Sequence, residues 1–279
     1  MIPAEFDYTA PDTIDGVFAA LSSGAEDAKL LAGGHSLIPL MKLRLATPSL
    51  LVDLRRVDGL RGVTKNGSWS IGAMTPHSET ASSGLGLISA VAATIADPQV
   101  RHRGTIGGSL AHGDPASDLP AALMAAEAVV KLRTTNGDRT LPAAELFVDY
   151  LTTNVAPNEV MTSIEMPSLD GWGFSYQKFN RRAEDWAMVA VPVMVRASGG
   201  VCEDVRIGLT NMGSRPLRAT AAEEALRGKP LDAASIKAAA ALVDEGTNPP
   251  SDLNASGDYK RHLARVLCRR GLTEAAAQQ

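Results

Sequence analysis

Two double glycines set the strictest limits on how this chain can fold. Gly33-Gly34 stands in AGGHS, from Ala32 to Ser36, and Gly107-Gly108 in TIGGS, from Thr105 to Ser109. Glycine lets a backbone approach a neighbour or a ligand with no Cβ in the way. The first pair follows a short apolar run, Ala28 to Ala32, and precedes a helix-like stretch, LIPLMKLRL. Strand, glycine turn and helix in that order leave free N–H groups and the positive end of a helix dipole where an anion can bind. Ser36 is placed to cap that helix or to donate its hydroxyl. Neither segment matches G-x-G-x-x-G or G-x-x-x-x-G-K-[ST], which excludes the Rossmann and P-loop arrangements. A lone Gly-Gly is more often an ordinary turn, so the residues by themselves give a candidate cradle for a diphosphate and nothing narrower.

Around these turns the first fifty-odd residues alternate strand and helix. Ile14 to Ser22 is amphipathic, and SLLVDL, ending at Leu54, is a second strand, so a small α/β subdomain is expected. Asn66-Gly67 and Asn136-Gly137 each lie between β-prone runs and predict hairpins. Leu85 to Ile95 predicts a buried helix, and a Gly-dense loop, RHRGTIGGSLAHGDPASD, leads to a helix from Leu119 with Asp118 as its N-cap. Glu159 to Met166 adds a strand and Pro167 to Gly173 a connection. The last hundred residues place strands first, with Gly199-Gly200 as a hairpin turn, and helices afterwards, broken by Pro249-Pro250. That order predicts an α+β unit. Pro192 predicts an edge or a bulge in its strand.

Composition removes several functional classes. A net charge of -4 disfavours nucleic acid as the main partner. No apolar run approaches the ~18 residues of a membrane span, and MIPAEFDYTAPDT lacks the character of a secretory signal. A cytoplasmic chain is expected, associated at most with the inner face of the cell membrane. Its two cysteines, Cys202 and Cys268, are expected to be buried thiols and are too few for an iron–sulfur cluster. The histidines follow no metal-binding spacing, and no metal site is expected.

Three longer stretches carry a specific likeness. LAGGHSLIPLMKLRLATP, ADPQVRHRGTIGGSLAHGDPASDLPA and YQKFNRRAEDWAMVAV resemble the signature segments of the FAD subunit of molybdenum hydroxylases. That family includes xanthine, nicotine and aldehyde-type dehydrogenases and aerobic carbon monoxide dehydrogenase. MIPAEFDY, GGHSLIPLMKLRLATP and IGLTNMGSRPLRA are most similar to the carbon monoxide type. The resemblance spans essentially the whole chain. It implies an α+β fold: a two-subdomain FAD-binding domain of the vanillyl-alcohol-oxidase (PCMH) type over residues 1–172, divided near 57/58. A C-terminal α+β domain over 173–279 follows, with a three-stranded antiparallel sheet and a helical bundle.

The resemblance also implies noncovalent FAD, held at its diphosphate and ribityl chain by Ala32, Gly33, Gly34, His35, Ser36 and Leu37 and by Thr105, Ile106, Gly107, Gly108 and Ser109. His112 is a further cofactor contact. Asp118 matches a carboxylate on the adenosine side, Ile164 an apolar residue at the adenine, and Lys178 a lysine near the flavin. Trp186 takes the position beside the isoalloxazine ring, where the carbon monoxide enzymes carry tyrosine. No residue is expected to act on substrate. The implied partners are a large molybdenum-cofactor subunit and a small [2Fe–2S] subunit, in a dimer of heterotrimers that passes electrons to an external acceptor such as a quinone. The flavin subunit of a nicotine-, purine- or aldehyde-type dehydrogenase, an independent flavin oxidoreductase and a scaffold that has lost FAD remain as alternatives. Arg101, Arg103, Arg181 and Arg182 are open between phosphate, partner and solvent.

Overall fold

The alternation in the first fifty residues builds a parallel sheet. In the computed structural model, which describes residues 2–23 and 27–279, β1 (Asp7–Thr9) and β2 (Lys29–Leu31) both pair parallel with β3 (Leu50–Asp53), giving the order β1-β3-β2. Helices α1 (Ile14–Leu21) and α2 (Leu37–Lys42) make the crossovers. Thr13 caps α1 by accepting from the Gly16 N–H, and Val17 and Phe18 bury its apolar face against Val52. In this sheet β1 escapes the sequence reading, because Asp-Tyr-Thr carries no apolar run, whereas the equally short β2 lies within one. Val160, more than a hundred residues away, closes this small core, so the subdomain leans on the next layer.

That layer is a five-stranded antiparallel sheet. It comprises β4 (Val63–Asn66), β5 (Ser68–Gly72), β6 (Val129–Thr134), β7 (Gly137–Pro142) and β10 (Val160–Met166), in the order β4-β5-β10-β6-β7. Between β5 and β6 run α3 (His77–Ser82), α4 (Leu87–Ala93), α5 (Pro98–Arg101), α6 (Ile106–His112) and α7 (Asp118–Ala125). After β7, α8 (Ala143–Leu146) leads into a small hairpin of β8 (Phe147–Asp149) and β9 (Thr152–Thr153). Gly67, at φ +79, turns the first expected hairpin. The second turns at Thr135-Asn136, one residue earlier than expected, because Thr134 pairs with Gly137.

The third layer is β11 (Gly173–Phe179), β12 (Val189–Ser198), β13 (Val201–Leu209) and a two-residue edge strand β14 (Leu217–Arg218), so the expected three strands gain a short fourth. Gly199 and Gly200, at φ +57 and +79, form the left-handed pair that a two-residue hairpin turn requires. The helices α9 (Thr220–Leu226), α10 (Ala233–Ala240) and α11 (Gly257–Ala276) cover one face. Val189, Val191, Val193 and Val195 pack into that helical core, whereas Met194 belongs to the core of the five-stranded layer. β12 is thus buried on both faces, which is why it reads as a continuous apolar run. Helix α7, between the two sheets, has all eight residues buried.

Pro192 corrects the expectation of an edge, while the bulge in its strand falls between Arg196 and Ala197 rather than at the proline. Pro192 lies in the central strand opposite Tyr176, and the β12–β13 pairing resumes on either side of it in unbroken register, Val193 with Ile207 and Ala190 with Thr210. Gly208 makes this tolerable: a Cβ there would come 2.8 Å from the proline ring and 2.3 Å from the Ala121 carbonyl oxygen. Cys202 and Cys268 are buried free thiols, as expected; burial pushes the Cys202 thiol up to about 11.

Candidate functional site

The two glycine motifs meet backbone to backbone. A Cβ on Gly33 would lie 2.3 Å from the Arg103 carbonyl oxygen and 2.7 Å from the Gly104 Cα, the residues that lead into Thr105. A Cβ on Gly108 would lie 3.3 Å from that of Ala32. Gly34 takes φ +77, which only glycine adopts without strain, and turns the chain from β2 into α2.

The motifs differ in what they leave free. Among the described residues, the N–H groups of Gly33, Gly34, His35 and Ser36 donate to no protein acceptor, and the Ser36 side chain makes no cap bond. The second motif is not the loop expected from sequence but the first turn of α6. Thr105 caps it by accepting from the Gly108 N–H, Gly107 donates to the Ala73 carbonyl, and Ser109 donates to the Thr105 carbonyl. Gly107 is a packing glycine, since its Cβ would lie 2.6 Å from both Ala73 Cβ and Ala73 O. The first motif therefore presents the donors and the second a surface free of side chains.

Between them opens a cavity of about 620 Å³, within the ~300–1,000 Å³ usual for cofactor sites. Of the residues read from sequence, Ala32, Gly33, Gly34, His35, Ser36, Leu37, Thr105, Gly107, Gly108, Ser109, His112, Asp118, Lys178 and Trp186 line it. Ile106 and Ile164 do not. Both are fully buried in the core, and on β10 it is Met161 that reaches the cavity.

Asp118 is not a cap. Ser117 occupies the N-cap position, and Asp118 accepts instead from Tyr176 Oη at 2.5 Å and from Lys178 Nζ at 2.9 Å. Lys178 also donates to the Thr94 carbonyl at 3.2 Å. Burial pushes the Asp118 carboxyl up while Lys178 and Tyr176 pull it down; burial and then Asp118 hold the Tyr176 hydroxyl well above its ordinary value. The resemblance assigned Asp118 to the adenosine side and Lys178 to the flavin. In the cavity lining the two form a direct ion pair. Trp186, also in the lining, is 56% exposed and is no core tryptophan.

Several lining residues have no sequence signal. His77 is buried against Gly104, where a Cβ would lie 2.8 Å from its ring, and its Nδ1 has no partner. Burial, with His35 adding to it, pushes the His77 imidazole down to about 4. Glu159 accepts from Arg139 at 2.5 and 2.7 Å, which holds its carboxyl below the ordinary value. Leu151, in the β8–β9 turn, combines φ +52 with 41% exposure, an unfavourable state for a leucine. Of the paired arginines, Arg182 is taken up by Asp185 within its own loop and Arg103 is exposed. Among the described residues, no cluster of His, Cys, Asp or Glu could hold a metal.

The arrangement suits a long anionic cofactor: unpaired N–H donors in the first glycine turn, apolar Leu54, Met74 and Met161, and a flat exposed tryptophan. Comparison with known proteins agrees. Residues 4–169 match the family model of the FAD binding domain in molybdopterin dehydrogenase, and residues 174–275 that of the CO dehydrogenase flavoprotein C-terminal domain. The carbon monoxide dehydrogenase medium chain of Hydrogenophaga pseudoflava is 42% identical, over 100% of this chain and 99% of its own. The 6-hydroxypseudooxynicotine dehydrogenase complex subunit alpha of Paenarthrobacter nicotinovorans is 38% identical, over 99% and 96%. The solved structure of the Hydrogenophaga pseudoflava carbon monoxide dehydrogenase superposes with a TM-score of 0.96, covering 100% of this chain and 99% of that one at 43% identity.

Proposed function

This chain belongs to the family of FAD-binding flavoprotein subunits of molybdopterin dehydrogenases, and from that premise we propose that it is the medium subunit of an aerobic carbon monoxide dehydrogenase. It is an FAD-carrying oxidoreductase subunit. The observation that carries the site assignment is the meeting of both glycine motifs over one cavity. The chain divides at 172/173 into the FAD-binding domain and the C-terminal domain. The free N–H groups of Gly33 to Ser36 take the diphosphate, and Gly108 lets it lie against α6 with no side chain between, while Gly107 seats that helix on Ala73. Ser36, Ser109 and His112 offer polar contacts along the ribityl chain. Lys178 and Trp186 stand at the flavin ring, and Asp118 holds Lys178 there.

Bound FAD accepts electrons singly and releases them in pairs. The residues of this chain bind, orient and shield it, and no lining side chain needs to move a proton on a substrate. The partners are a large subunit carrying the molybdenum cofactor, where substrate is oxidised, and a small subunit carrying [2Fe–2S] clusters. The complex is a dimer of heterotrimers that delivers electrons to an external acceptor of the quinone class. No helix among the described residues is long and apolar enough to cross a membrane. The chain works in the cytoplasm, against the inner face of the cell membrane.

Purification of the native complex through a tag on this chain, followed by assay with carbon monoxide, nicotine-type heterocycles, purines and aldehydes, tests the substrate. Flavin reduction by carbon monoxide and by none of the others is expected. Reduction by a heterocycle or an aldehyde alone would move the chain to another branch of the same family.

A further inference from the structure

The segment from Thr94 to Gly104 is held by contacts that neither glycine motif explains. Asp97 Oδ1 accepts from the Val100 N–H and opens the single turn of α5, with Pro98 at its first position. The turn brings Arg101 back beneath its own start. There Arg101 Nη1 donates to the Ile95 carbonyl at 2.8 Å and to the Ala96 carbonyl at 2.9 Å. Lys178 holds the Thr94 carbonyl, so three successive carbonyls are fixed by two cations. Among the described residues, no carboxylate pairs with Arg101.

Ala96, at the centre of this clamp, has φ +41. A residue with a Cβ enters that region only when its surroundings force it, and such strain gathers at ligand sites. Ile95 and Ala96 line the cavity together with Lys178 and Trp186. The next turn continues directly into the second glycine motif through the bond from the Gly104 N–H to the Val100 carbonyl.

We propose that Arg101 is a positioning residue for the flavin end of the cavity, holding Ala96 in its strained conformation so that Ile95 and Ala96 form the wall against which the ring lies. The inference rests on the FAD site proposed above. Arg101 touches no ligand; it acts through the two carbonyls. Without its guanidinium, Ala96 relaxes out of the left-handed region and the wall is lost from its bound position. Glycine at 96 enters that region without the cost, so it should restore the wall in the absence of the clamp.

The test uses the full chain, stripped of flavin and titrated with FAD, followed by potentiometry of the bound flavin. Arg101→Met should raise the dissociation constant about five- to thirtyfold, the equivalent of ~1–2 kcal/mol for a left-handed alanine, and should shift the midpoint potential. Adding Ala96→Gly should recover most of both. His102→Ala, exposed on the same turn, should change neither. Unaltered affinity and potential in Arg101→Met, or no recovery with Ala96→Gly, would overturn the proposal. If Arg101→Met does not fold, Arg101→Lys with and without Ala96→Gly makes the same comparison, since one ammonium cannot reproduce the planar fork. Failure of the wild-type chain to bind FAD would sink the underlying site reading instead.

Discussion

Lys178 Nζ stands 2.9 Å from Asp118 Oδ2, with 8% and 6% of the two side chains exposed, and the pair joins the C-terminal sheet to helix α7 of the FAD-binding domain. A buried pair of this kind adds little net stability, but removing one partner strands the other charge at a cost of about 3–5 kcal/mol. Lys178→Met should therefore lower the urea midpoint of the flavin-free chain sharply. Asp118→Asn in the same background should recover much of the loss. Equal stability of Lys178→Met and wild type would mean that the pair is not formed.

His77 makes stability depend on pH. Its folded pKa, about 4, lies below the ordinary 6.5, so the unfolded chain binds the extra proton between those values. The contribution is present above about pH 6.5 and is lost as pH falls towards 4. Linkage gives a loss of about 2 kcal/mol between pH 7 and pH 5. Urea unfolding at both pH values should show that much more loss in wild type than in His77→Gln, whose amide cannot titrate. Parallel losses in the two proteins would remove His77 as the cause.

Sequence made the glycine motifs legible because few residue types can do what glycine does there. What it could not give depends on distant partners. Asp118 reads as a cap until Tyr176 and Lys178, some sixty residues on, claim its oxygens. His77 carries no motif, and its burial depends on the missing side chain of Gly104. Pro192 breaks the local rule for central strands, and Gly208 on the neighbouring strand accommodates it. Ile164 and Met161 share one short strand, and only packing decides that Met161 lines the cavity.

Trp186 exposes 56% of its surface to solvent, so little folding energy depends on it. Trp186→Ala should leave the flavin-free melting temperature nearly unchanged. With FAD bound, the loss of a flat contact worth about 0.5–1.5 kcal/mol should weaken affinity severalfold, shift the visible bands and raise flavin fluorescence. Trp69 and Trp172, which sit under Lys65 and under Arg196 and Arg206 respectively, are the controls and should leave the flavin spectra untouched. Flavin spectra that ignore Trp186 and respond to either control would contradict its place at the ring.

FAD titration of the flavin-free chain, wild type beside Gly108→Ala, tests most directly whether the cavity between the two glycine motifs holds the cofactor. A methyl at 108 would come 2.8 Å from Thr105 Oγ1, displacing the hydroxyl that caps α6, and 3.3 Å from the Ala32 Cβ, so it fills the space where the two motifs meet. Gly107→Ala serves as the contrast and should fail to fold, since its methyl meets the Ala73 backbone. Wild type should saturate at about one FAD per chain, released whole into the supernatant by acid. Folded Gly108→Ala should bind at least about tenfold more weakly, a difference of ~1.4 kcal/mol. Wild-type affinity in Gly108→Ala, or no saturable binding by the wild-type chain, would contradict the assignment.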